Sequence, residues 1–127
     1  MPVDVRWLEP RILLFRVQQP FTTQALNRAI DTGLDLVSTV PGQPVGTVLD
    51  TSGVLFVPPG SLQKGRKLAQ VDPANIGPVV LIRPNPVIRG FTRLARSVHP
   101  PTADLIHVAD DQQSAVVLLR RLLGMDA

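Results

Sequence analysis

Asp50 and Ser52, two positions apart in Leu49-Asp50-Thr51-Ser52-Gly53, set an acid beside a hydroxyl nucleophile. With a histidine they could make an acyl-transfer site. The Gly-x-Ser-x-Gly elbow that presents such a serine is missing, however, and a serine after a strand more often forms a turn or caps a helix. A second stretch, Gly60-Ser61-Leu62-Gln63-Lys64-Gly65-Arg66-Lys67, spaces its glycines like a phosphate loop. Such a loop needs Lys-Ser/Thr after the second glycine, the lysine for phosphate and the hydroxyl for magnesium. Arg66-Lys67 stands there instead, so no nucleoside triphosphate site is expected. His99 and His107 have no companion ligands at helical or hairpin spacing, and both read as structural residues. Zero cysteines exclude thiol catalysis, zinc ribbons and iron–sulfur ligation. No cofactor is implied.

A surface is left. Ser52, Gly53, Gly60 and Ser61 fall on one expected loop, with Lys64 a helical turn later. Hydroxyls and a cation near a helix start could hold a phosphate or carboxylate. Arg89, Arg93 and Arg96 share one helical face opposite Val87, Phe91, Leu94 and Val98. They read as the solvated side of an amphipathic helix. With a net charge of only +3, the local cation clusters are Lys64-Gly65-Arg66-Lys67 and this arginine trio, whose other reading is a surface for an anionic partner; nucleic acid is not an expected partner.

The elements that must position these residues are punctuated by 13 prolines, roughly twice the usual share. Proline lacks an amide donor and disfavours helix in its predecessor, so it marks ends and loops. Val3 to Trp7 and Arg11 to Val17 read as two strands joined at Glu9-Pro10. Thr22 caps a helix whose inner face is Leu26, Ala29, Ile30, Gly33, Leu34 and Val37, with Phe21 and Leu26 as a hydrophobic staple. Gly46 to Asp50 is a short central strand, and Val54 to Val57 is a further apolar piece stopped by Pro58-Pro59-Gly60. Ser61 caps a short basic helix toward Leu68. Pro78 to Arg83 is a buried strand, and Asn85-Pro86 opens a helix to about Val98. Asp104 to Val108 is the last strand. Asp110 with Gln113 caps the closing helix, whose core face is Ala115, Leu118, Leu119 and Leu122.

The order is β-β-α-β-α-β-α-β-α, which predicts one α/β domain over residues 1–127. Its sheet should be mixed and mostly parallel, with one initial hairpin and helices packed on it. At 127 residues and 44% hydrophobic, the chain has enough apolar content for a core without disulfides or metal. No apolar run is long enough for a bilayer, and the first residues lack the apolar core of a secretory signal. Cytoplasmic residence is the expectation.

In this order, Ile12-Leu13-Leu14-Phe15-Arg16-Val17 before the Thr22 helix, and Val48-Leu49-Asp50-Thr51-Ser52-Gly53-Val54 after it, resemble a STAS domain. The chain is most similar to the divergent SpoIIAA-like members of that class. The closing strand and the helix with Ala115-Val116-Val117-Leu118-Leu119 resemble the usual end of the domain. The resemblance implies a non-catalytic regulatory module, as in bacterial anti-anti-sigma factors and sulfate-transporter tails. In phosphoregulated members, Asp-Ser-(Ser/Thr)-Gly-Leu begins a helix and its first serine takes a phosphate. Here that stretch falls at Pro58-Pro59-Gly60-Ser61-Leu62, with Pro59 at the acceptor position. The standard switch is therefore not expected.

Two functions follow. The first is protein docking through the Asp50–Lys67 loop and helix, using Asp50, Ser52, Gly53, Ser61 and Lys64. The alternative is binding of a small apolar or anionic ligand, including a lipid, as the SpoIIAA-like resemblance suggests. Neither makes the protein an enzyme, and a homodimer is compatible with both.

Overall fold

The computed structural model describes residues 3–18, 20–54, 73–86, 88–90, 93 and 105–125. The described strands form one sheet in the order β1 (Val3–Glu9), β2 (Ile12–Gln18), β3 (Val45–Gly53), β4 (Ile76–Ile82) and β5 (Ile106–Ala109). β1 pairs antiparallel with β2, and every later pair is parallel. This is the mixed, mostly parallel sheet that the alternating pattern predicts.

The hairpin turns at Pro10-Arg11, where Arg11 takes a positive φ of 66°. Its Nε donates to the Pro44 carbonyl, and its own carbonyl accepts the Gly46 amide. A β-bulge between Trp7 and Glu9 sets Glu9 opposite Ile12. Glu9 thereby stands on the same sheet face as Ile12, where it meets an arginine of the closing helix.

Helix α1 (Thr23–Val37) starts as expected, with Thr22 Oγ1 accepting the Ala25 amide at 3.0 Å. Ala29, Ile30 and Gly33 are its buried residues. Phe21 and Leu26 both pack against one cluster containing Val17, Val54, Leu81 and Ile88. Helix α2 (Gln112–Leu122) closes the chain on the other face. There Ala115 and Leu119 meet Ile12, Leu14, Val48, Val80 and Ile82. Even-numbered residues of β2, β3 and β4 thus face α2, and odd-numbered ones face α1, as strand alternation requires.

Three expectations change. β3 runs on to Gly53 rather than ending at Asp50, because Gln18 of β2 is there to pair with it. The α2 cap is Asp111, not Asp110: its carboxylate accepts the Ser114 amide at 2.7 Å. Leu122 is 43% exposed rather than core-facing. Leu123 packs against the α2-face cluster instead, with its methyl over Gly46 of β3. A 3₁₀ turn at Pro73–Asn75 precedes β4. Asn75 is buried and donates to the Val40 and Gln43 carbonyls, satisfying the loop that leaves α1.

Pro86, Ile88–Gly90 and Arg93 are helical, consistent with a helix opened by Asn85. The Val54–Val57 piece beyond Val54, the basic helix from Ser61 to Leu68, and Arg96, His99 and Asp104 lie outside the described residues. Among the described residues no helix is long and apolar enough to cross a membrane.

Candidate functional site

The carboxyl ends of β2, β3, β4 and β5 point the same way, and this rim is where open α/β sheets usually bind. Arg16 and Asp50 are register partners on β2 and β3, on the even-numbered face. Apolar side chains fill that face as far as Leu14 and Val48. One step further it turns polar. Arg16 Nε lies 3.2 Å from Asp50 Oδ2, with the two side chains 31% and 17% exposed. The other arm of the same guanidinium, Nη2, donates to Gln112 Oε1 at 2.9 Å. Gln112 is the first residue of α2. Arg16 therefore fastens the end of the central sheet to the start of the closing helix.

The charges continue along the rim. Arg83, just after β4, has a positive φ of 40° and an amide bonded to the Ala109 carbonyl. Asp111 has its pKa held below the usual carboxylate range, chiefly by the Ser114 backbone amide, then by the Ser114 side chain. The Arg83 charge adds a smaller effect in the same direction. Asp110 is exposed beside it. In strand order the result is a ridge of alternating sign: Arg16, Asp50, Arg83 and the Asp110–Asp111 pair.

On the odd-numbered face the same rim is drawn together. Asn85 Oδ1 accepts the Ile88 amide at 2.9 Å, the capping role read from the sequence. Its Nδ2 also donates to the Val54 carbonyl. Val54 in turn donates its amide to the Thr51 carbonyl at 3.0 Å. One side chain thus ties the exit of β3 to the exit of β4. Thr51 is buried, and among the described residues its hydroxyl has no hydrogen-bond partner.

Of the site residues expected from sequence, Asp50 is at the centre of this rim. Ser52 belongs to β3, and Gly53 is its exposed last residue, paired with Gln18. Ser61 and Lys64 lie outside the described residues. Arg89 and Arg93 are exposed, as expected for a solvated face, and Arg89 donates to the Pro84 carbonyl. His107 is half-buried in β5. Among the described residues, no three His, Cys, Asp or Glu side chains converge on a metal position. Sequence reasoning missed Arg16 and Gln112. The signal for Arg16 was present: a lone cation closing an apolar run, Ile12 to Phe15, where alternation puts it on the buried side. Nothing local marks Gln112.

Comparisons with protein-family models, curated proteins and solved structures find no match for this chain.

Proposed function

We propose that this protein is a non-catalytic interaction and regulatory module of the STAS-like class, docking through the Asp50–Lys67 loop and helix. The Asp50–Arg16–Gln112 linkage carries this reading. It braces the strand end from which that segment departs, and it commits the Asp50 carboxylate to an ion pair. A braced ridge of alternating charge suits a protein surface of complementary pattern. The alternative, a small apolar or anionic ligand, draws on the buried Thr51 hydroxyl at the same rim.

The test is affinity capture from the source cell followed by binding titration of the recovered partner. Lys64→Glu and Arg83→Glu should each weaken the complex at least ~10-fold, as rim charges do when reversed. Arg121→Glu, at the opposite end of α2, should leave it intact. A complex indifferent to both rim reversals overturns the assigned face. A tight co-purifying small molecule in native mass spectrometry, with no protein partner, favours the alternative.

A further inference from the structure

β1 is an edge strand, and no described residue pairs with its outer side. A seven-residue edge offers a row of amides and carbonyls to another chain. Asp4 and Arg6 stand on its α2 face, and Val3, Val5 and Trp7 stand on its α1 face. We propose that β1 pairs antiparallel with β1 of a second copy about a two-fold axis through Val5, joining the two sheets of five described strands into one.

The register follows from charge. A two-fold axis normal to the sheet keeps side chains of one face beside side chains of the same face. The axis must therefore pass through a single residue. Centred on Asp4 or on Arg6, it sets like charges directly opposite each other, which is destabilising. Centred on Val5, it sets Asp4 opposite the second copy's Arg6, and Arg6 opposite the second copy's Asp4. Within one chain Arg6 Nε already lies 3.6 Å from Asp4 Oδ2, with side chains 59% and 43% exposed. The dyad therefore assembles a square of four alternating charges.

That square extends a ladder already present. Asp4 is the register partner of Arg16, and Arg16 is the register partner of Asp50. Across the dyad the row becomes Asp50, Arg16, Asp4 and the second copy's Arg6, alternating throughout. On the other face Val5 meets its own equivalent, and Trp7 meets Val3 of the second copy. The helices also fit. Gly33 of α1 lies over both Val5 and Leu13, so α1 sits between β1 and β2. With strands spaced as usual, the two α1 axes fall about 10 Å apart, a normal helix-packing distance. The inference does not depend on the function proposed for the rim.

The experiment is sedimentation of the full chain over a concentration series, repeated for charge-reversed variants. Wild type should dimerise. Asp4→Arg and Arg6→Asp should each weaken the dimer at least ~10-fold by placing like charges at the dyad. Mixed in equal amounts, the two variants should regain a dimer, since every cross-strand pair is then opposite in sign. Circular dichroism and melting of each variant separate lost pairing from lost folding. Val5→Cys, the only cysteine in the chain, should cross-link with itself under mild oxidation. Trp7, the only tryptophan, reports the contact, and its emission should shift to the red on dilution. A wild type monomeric at every concentration overturns the proposal and makes the two charges guards against edge pairing. A dimer unaffected by either reversal places the interface elsewhere.

Discussion

Arg16 stands at the end of an apolar strand because both arms of its guanidinium are used, on Asp50 and on Gln112. The pair is partly exposed, so its strength should lie between surface pairs and buried ones. A double-mutant cycle of Arg16→Met with Asp50→Asn, read by denaturant unfolding, should give a coupling of about 1–2 kcal/mol. A coupling near zero would mean that Gln112 alone holds the arginine. Two other carboxylates make stability depend on pH. Glu9 has its pKa lowered mainly by hydrogen bonding to Arg120, whose Nε and Nη2 approach at 2.6 and 2.5 Å. Asp111 has its pKa lowered mainly by the Ser114 amide. Both values are depressed in the folded chain. Their contribution is therefore complete above the unfolded value of about 4 and is lost as pH falls through the folded one. Melting temperature should hold steady from neutrality to about pH 5 and then fall. Glu9→Gln and Asp111→Asn should each flatten that acid limb, and an unchanged limb in both would contradict the assignment.

Among the elements, two glycines show how closely the layers approach. A Cβ on Gly77 would come 2.2 Å from the Val45 carbonyl oxygen, at the irregularity where β4 begins to pair with β3. Backbone cannot step aside there without breaking the ladder. A Cβ on Gly46 would instead come 2.9 Å from a Leu119 methyl, the far end of a side chain that can turn. Gly77→Ala should thus cost more than about 2 kcal/mol and Gly46→Ala about 1 kcal/mol, measured by equilibrium unfolding. Equal costs would mean that the β3–β4 register is softer than its geometry. These contacts also mark what the sequence could tell. Thr22, Asn85 and the residues around Pro10 announce their elements because caps and turns are local chemistry. The choice of Asp111 over Asp110 as cap, or of Leu123 over Leu122 as core, is not local. It depends on where α2 lands on β3, and Gly46 leaves the room there. Asp50 was legible as a strand-end acid, whereas Gln112, which shares Arg16 with it, lies 62 positions further on and is brought to that arginine only by the fold.

For the molecule as a whole, the described strands follow one another across the sheet in chain order, so each adds beside the one before it. α1 joins β2 to β3 and covers one face on the way. α2 follows β5, and among the described residues no later strand makes it a crossover. It covers the face that α1 does not, and its burial of Ile12, Leu14, Val48, Val80 and Ile82 supplies the reason. Without it those five residues would form one apolar plane, larger than a small monomer tolerates in water. Leu119 is fully buried at the centre of this contact, and Leu119→Ala should cost about 2–5 kcal/mol. A chain ending at Ala109 should lose more. It should show no cooperative melt by calorimetry and should bind a hydrophobic dye, because all five described strands remain but one face lacks its cover. A sharp melt in that truncated chain would show that the α1-face cluster, with Val17, Val54, Leu81 and Ile88, folds as a core by itself. The α2 layer would then be an addition to a finished domain, and Arg16 a fastener between two parts, not a brace within one.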